Sequence, residues 1–370
     1  YEPKKRVSQI LFNGQKLFDN VYTDRTLNTD NDIVEKRYAP RGTDNLIDVF
    51  QTETDNKGNV ISVKYANCEE GTISPNYTTQ KQCTYNAKGN PTQIVDNVAN
   101  VTHTYTYDDF DRLEKHEFGY NSTEYVYDSI GNVQTKTHKI YKGYYAGAVQ
   151  TDDIGYSFSY SGDSKNRLTQ MSVGSVTENY TYDSLERNKK ITQTLNGNII
   201  SKDFGYYKNG DHATNLVNSV FYKTNGAVTD REHYTYDSMG NIISVSKNGS
   251  KLKEYKYDTL ARIIYENNID TNREISYTYD RQGNILSKTD NGTKIDYAYD
   301  ESGFKLLSYG GQSYNYDNLG NPLNINSTYY SASWTKARLL TTLSALSHSI
   351  ILGYDANGLM TRRTIGSQYT

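Results

Sequence analysis

The ten residues YTYDRQGNIL at 277–286 return, little altered, as YTYDSMGNII at 234–243 and YVYDSIGNVQ at 125–134. A chain that rewrites one short unit at a fixed period stacks copies of a single supersecondary element, each too small to bury its own face. With the second tyrosine of each YxYD as marker, clean copies stand at Tyr107, Tyr127, Tyr182, Tyr236, Tyr257, Tyr279, Tyr299 and Tyr316. A copy without the leading tyrosine stands at Tyr354, degenerate copies at Tyr85, Tyr160 and Tyr207, and a faint one at Asp55. The clean neighbours 107 and 127, 236 and 257, 257 and 279, and 279 and 299 are 20 to 22 residues apart, and the wider gaps on either side of Tyr182 each hold one degenerate copy.

The unit has three parts. The first is a strand in which Y-x-Y puts both rings on one face. Its first rings are Tyr105, Tyr125, Tyr180, Tyr234, Tyr255, Tyr277, Tyr297 and Tyr314, each two residues before a marker tyrosine. The second part, D-x-x-G-N, is a turn. Its aspartate (Asp108, Asp128, Asp183, Asp237, Asp258, Asp280, Asp300, Asp317) can bond its own backbone two residues on, and its glycine (Gly131, Gly240, Gly283, Gly303, Gly320) supplies positive φ. Where the glycine is missing, Asp111, Glu186 or Ala261 replaces it, followed by Arg112, Arg187 or Arg262 instead of asparagine. The third part is an alternating strand such as IISVS from Ile242, often ending in a second turn: LNGN at 195–198, KNGS at 247–250, DNGT at 290–293. Asn-Gly between strand-like runs is the strongest short hairpin signal. The pattern predicts an all-β, antiparallel array of hairpins with two strands per repeat. Tyrosine pairs of successive repeats are expected to stack as a ladder of rings, each contact adding about 0.5–1.5 kcal/mol beyond area burial. Residues 1–49 match the unit poorly and read as an atypical N-terminal segment or capping repeat, with the array at 50–370.

Composition supports thin sheets over a thick centre. Hydrophobic residues are only 35%, but 37 tyrosines supply apolar surface, and their hydroxyls want water or a partner. A net charge of −3 with no long basic block argues against nucleic acid as a partner. No apolar run approaches the roughly 20 residues of a membrane helix. Tyr1 is not methionine, so the chain is expected to begin part-way through a longer protein. Cys68 and Cys83 flank what reads as a long loop, and a disulfide there would contribute about 3 kcal/mol on the loop-entropy model; two free thiols are the alternative.

Chemistry finds few candidates. Asp108, Asp109 and Asp111 lie close together, as do Asp30 and Asp32, but Asp108 is a turn residue whose counterparts recur in every clean copy. The acidic DNKGN at 55–59 lacks a distant bidentate Glu and reads as another turn. The six histidines are scattered, and no HExxH, GxSxG, GxGxxG or GxxxxGK motif occurs. No catalytic, cofactor-binding or metal-binding residue is assigned. Non-repeated aromatics, Tyr144 with Tyr145 and Tyr329 with Tyr330, are the better candidates for binding a sugar ring or a protein.

The unit YxYDxxGNL at this spacing closely resembles the YD repeat of Rhs proteins. The same repeat occurs in the C components of bacterial Tc toxins, in Gram-positive wall-associated proteins and in teneurins. The segment holding Trp334, Arg338 and Leu339 resembles the W-x-x-x-R-L strand of bacterial Rhs arrays. The resemblance implies a sheet wound as a spiral, the wall of a hollow shell. It further implies a secreted or bacterial surface protein whose shell encloses a C-terminal toxin cargo and core segment of the same polypeptide. The chain reaches Thr370 without a DPxG-type core motif, so neither self-cleavage nor toxicity is assigned to its residues. The teneurin branch implies the alternative, a surface adhesin binding glycans or proteins.

Overall fold

The computed structural model describes all residues except 1–5, 13–14, 25–30, 41, 44, 146, 326–329, 346–347, 367 and 370. Among the described residues there are thirty-two strands and no helix. The chain divides into two units, one of Tyr1–Tyr120 with Ala298–Thr370, the other of Asn121–Tyr297.

The first unit opens with β1 (Gln9–Phe12), β2 (Gln15–Thr23), β3 (Asp32–Tyr38), β4 (Leu46–Thr54) and β5 (Val60–Glu69). It continues through β6 (Thr78–Tyr85), β7 (Pro91–Asp96), β8 (Val101–Tyr107) and β9 (Leu113–Phe118). Each strand pairs antiparallel with the next in chain order. The boundary drawn at 49/50 falls inside β4, so the poorly matching segment carries the same meander as the repeats.

The second unit holds β10 (Asn121–Tyr127), β11 (Val133–Tyr145), β12 (Ala148–Tyr160), β13 (Leu168–Val173) and β14 (Val176–Tyr182). There follow β15 (Asn188–Leu195), β16 (Asn198–Asn209), β17 (His212–Thr224), β18 (Ala227–Tyr236) and β19 (Ile242–Lys247). Next come β20 (Ser250–Tyr257), β21 (Ile263–Asn268), β22 (Arg273–Tyr279), β23 (Ile285–Asp290) and β24 (Thr293–Tyr299), whose last two residues belong to the first unit. From β10 to β24 each strand pairs antiparallel with the next. The first unit resumes with β25 (Leu306–Tyr309), β26 (Gln312–Tyr316), β27 (Pro322–Ile325), β28 (Tyr330–Thr335) and β29 (Leu339–Ala345). It ends on β30 (Ser349–Tyr354), β31 (Met360–Ile365) and β32 (Gln368–Tyr369).

The two turn types fall at opposite borders. Each Asn-Gly turn holds both central residues at positive φ, as in Asn196 (50°) with Gly197 (78°) and Asn291 (45°) with Gly292 (84°). That is the backbone of a tight hairpin whose twist matches its strands. Asn225 and Gly226 form a further such turn, between β17 and β18. The YD turns close the other ends, and the register shifts at the marker tyrosine, for example between Lys256 and Tyr257 and between Thr278 and Tyr279. A β-bulge therefore precedes each of these turns and re-aims its side chains.

Tyrosine sets the character of the faces. In β22, Tyr277 and Tyr279 are half-buried while Thr278 between them is exposed. Few side chains are fully buried, and the clearest apolar cluster is small: Ala39, Leu319 and Ala337, with Tyr38 against it.

Cys68 and Cys83 are free thiols on strands, so the disulfide considered from the sequence does not form. Ser62 pairs with Gln82, which sets Cys83 beside the start of β5 while Cys68 stands near its end. That offset is roughly 20 Å at the rise of a strand, far beyond the reach of a disulfide. The connecting loop is correspondingly short, residues 70–77.

Candidate functional site

The recurrent unit is a hydrogen-bonded turn module. At Asp280, Oδ1 accepts the N–H of Gln282 (2.9 Å) and of Asn284 (2.8 Å), and Oδ2 accepts the Asn284 amide (2.9 Å). Asp280 N–H reaches Asn284 O, and Gly283 N–H returns to Asp280 O. Asp128, Asp237 and Asp317 repeat the arrangement with Asn132, Asn241 and Asn321. In the glycine-free turns Asp111 (φ 63°), Glu186 (66°) and Ala261 (59°) hold the left-handed position. There the partner of Oδ2 is a guanidinium: Arg112 on Asp108 (2.6 Å), Arg187 on Asp183 (2.7 Å), Arg262 on Asp258 (2.7 Å). Asp300 makes a turn one residue longer, with Phe304 and Lys305 donating to its carboxylate. The Arg187 side chain holds Asp183 below the usual carboxylate range, and the Asn241 amide does the same for Asp237.

The marker tyrosines anchor each hairpin to the one before. Tyr279 Oη donates to Ile263 O (2.5 Å), Tyr257 to Ile242 O (2.8 Å), Tyr236 to Val217 O (2.5 Å), Tyr182 to Leu168 O (2.7 Å). Tyr107, Tyr316 and Tyr354 do the same to Pro91, Leu306 and Leu340. In one repeat the ring is Trp334, whose Nε1–H reaches Pro322 O at 2.8 Å. The degenerate copy marked at Tyr207 is anchored by its neighbour Tyr206, on Asn188 O, because the bulge there shifts the frame by one. Three leading tyrosines instead meet carboxylates: Tyr180 on Glu178 (2.5 Å), Tyr234 on Glu232 (2.6 Å), Tyr277 on Glu266 (3.2 Å). Burial, then the carboxylate, pushes Tyr180 and Tyr277 up to about 12, and raises Tyr234 likewise.

Rings also meet across hairpins: Tyr207 and Tyr236 lie 5.7 Å apart, and Phe18, Tyr38, Phe50 and Tyr65 follow one another at 5.3–6.1 Å across β2 to β5. Tyr277 and Tyr279 face one another within their own pair, centroids 6.4 Å apart, as do Tyr125 and Tyr127. Between repeats a hydroxyl-to-carbonyl bond adds to the ring contacts, with guanidinium groups over rings, as Arg262 lies 4.6 Å from the Tyr279 centroid.

Within the first unit, late turns dock on early strands. Asp48 of β4 is 2% exposed; its Oδ2 accepts the N–H of Ala337 (2.8 Å) and its Oδ1 the Tyr65 hydroxyl (2.6 Å). Asp96, 3% exposed at the end of β7, divides its oxygens the same way: Oδ1 takes Val98 and Ala99 N–H, Oδ2 takes Ala356 N–H at 2.8 Å. Lys336 Nζ donates to Gln80 (2.5 Å) and Lys81 Nζ to Asn357 (2.7 Å). Lys336 and Ala337 both have positive φ (45° and 66°). Such a backbone costs roughly 1–2 kcal/mol per residue and needs surroundings that hold it. Leu319 fills the apolar part of this seam against Ala39 and Ala337. Sequence reasoning did not find these residues. Their signal was there: an aspartate inside the apolar run LIDVF is out of place in a strand unless something caps it.

Other candidates resolve locally. Asp111 pairs with Lys88 (2.6 Å), and Asp55 organises a turn like the rest. Asp30, Tyr329 and the side chain of Tyr145 lie outside the described residues. Tyr144 is 60% exposed beside Tyr141, and Tyr330 is 45% exposed. His103 Nδ1 and His116 Nε2 share a hydrogen bond of 2.9 Å, a cross-strand pair between β8 and β9 that the sequence did not suggest. Among the described residues, no group of three or more His, Cys, Asp or Glu could hold a metal ion, and no helix is long and apolar enough to cross a membrane.

Residues 146–275 match the family model described as the teneurin YD-shell. That stretch, about a third of the chain, is similar to the YD repeats of the Rhs/YD-repeat family. No curated protein matches the chain. Among solved structures, one described as TcdB2-TccC3-TEV matches 100% of this YD-repeat chain and 24% of its own, with a TM-score of 0.43 and 13% identity. A porin-like protein from Bacteroides uniformis matches 54% of this chain and 90% of its own, with a TM-score of 0.27 and 10% identity. The YD-repeat chain spans about a quarter of the length of the first. Over residues 146–275 it resembles a repeat module of the YD-shell kind.

Proposed function

We propose that this module is a stretch of shell wall from a secreted or surface Rhs/YD-repeat toxin, enclosing a C-terminal toxin cargo and core segment of the same polypeptide. The work is mechanical, without catalysis by the wall, and no cofactor takes part. The observation that supports it is the seam. A wall must hold to itself at positions far apart in sequence, and Asp48 with Ala337, and Asp96 with Ala356, do so through buried carboxylates. Buried charges are kept only where their bonds are made, so the seam is either closed or costly to open.

The test uses the full polypeptide encoded at the locus, under limited proteolysis. The segment following the array should resist cleavage until the wall unfolds, and should become sensitive when Asp48 and Asp96 are both replaced by Ala. Cleavage of that segment in the intact protein at the rate of an unprotected chain would contradict the reading.

One observation favours a surface-binding reading. In the β11–β12 hairpin, Lys139 is the last residue paired to β10 and Tyr156 the first paired to β13. The strand register between them runs between β11 and β12, and there Tyr141, Tyr144 and Ile140 are exposed. A glycan- or protein-binding screen with Tyr141→Ala and Tyr144→Ala separates the two: binding lost in the variants supports an adhesin.

A further inference from the structure

Two residues after the aspartate, several YD turns carry a large apolar side chain: Ile130, Leu185, Met239 and Leu260 in the second unit, Leu319 in the first. The local geometry is the same in all five, since each donates its N–H to the turn carboxylate at 2.9–3.0 Å. Their surroundings are not. Leu319 is 2% exposed, seated between Ala39 and Ala337, whereas Ile130 is 72% exposed, Leu185 54%, and Met239 and Leu260 each 66%.

The four exposed knobs share one border. Antiparallel pairing reverses direction at every strand, so β10, β14, β18 and β20 run the same way and their YD turns emerge together. At the usual strand spacing the knobs stand about 10–20 Å apart along it. The seam shows what such a border receives: the opposite border of a YD-repeat sheet. There the end of β3 offers Ala39 as a shallow seat, and a carboxylate at a strand end, Asp96, caps an arriving turn N–H.

We propose that the YD-turn border of the second unit is an interaction surface for a second copy of this chain, docked head to tail. A second copy suits because the same unit carries the receiving border too. Asp290 ends β23 just before the Asn291–Gly292 turn, the position that Asp96 holds on β7. Arg273 and Lys288 already bond it, but a carboxylate has about four acceptor sites and keeps capacity for an arriving N–H. Two different borders meet in such a contact, so it does not close on itself, and assembly continues beyond a dimer.

Sedimentation of the purified chain across a hundredfold range of concentration tests this, comparing wild type with a Met239→Glu, Leu260→Glu double variant. Both side chains are largely exposed, so the variant should melt with the wild type. The wild type should show an average mass that rises with concentration past the dimer, and the variant should need at least tenfold more protein for the same mass. A wild type that stays monomeric throughout, or a variant that associates equally well, overturns the proposal. The outcome does not depend on any cargo, so the shell reading stands or falls separately.

Discussion

At Asp258 one carboxylate organises five residues: it takes two backbone N–H groups and a guanidinium, while Ala261 is held at φ 59°. An L-residue pays roughly 1–2 kcal/mol there, and glycine does not. Ala261→Gly should therefore stabilise the chain by about 1 kcal/mol, and Gly283→Val, at φ +96° with open space around its Cβ position, should destabilise it by at least as much through backbone strain alone. Denaturant melts of the two variants check both signs. These positions were legible because the turn's needs are local, and Asp111, Glu186 and Ala261 were recognisable as glycine stand-ins from spacing alone. The tyrosines predict a pH dependence. Tyr180 and Tyr277 are pushed up to about 12 by burial and then by a carboxylate, above the ordinary value near 10. The folded state thus binds protons that the unfolded state has released. Stability is full below pH 10 and falls as pH rises from 10 to 12. Melting temperature followed across that window should drop steeply, and a flat profile would count against these hydroxyl–carboxylate contacts.

Between elements, a hydroxyl-to-carbonyl bond joins the ring contacts as a link. The sequence legibly put tyrosines on one face, but not what their hydroxyls meet, since a carbonyl acceptor leaves no mark in side-chain pattern. Tyr279→Phe keeps the ring and removes only the bond to Ile263 O, and should cost about 1 kcal/mol. Trp334→Phe removes the equivalent Nε1–H bond to Pro322 O and should cost at least as much, with lost ring area added. Hydrogen exchange should show the loosening confined to the strands on either side, as expected where each repeat touches only its neighbours. Cys68 and Cys83 make a separate test at this scale. They flank a connection that reads as one long loop, yet both lie on strands whose register holds them apart. Thiol titration of the denatured protein without reductant should find two free thiols, and reductant should leave the melting temperature unchanged.

At the scale of the whole molecule, late turns grip early strands of the first unit. None of that could be read from the repeat itself. A period of about 21 residues fixes which strands are neighbours along the chain, and leaves open what comes together 289 positions apart at Asp48 and Ala337. The direct measurement is amide hydrogen exchange at Ala337 and Ala356, in the wild type and in Asp48→Ala. Both amides should be protected in the wild type, and protection at Ala337 should be lost in the variant, which removes the acceptor of that N–H and of the Tyr65 hydroxyl. If both exchanged in the wild type as fast as unprotected surface amides, the seam would not exist in solution, and the wall would have nothing to hold it to itself.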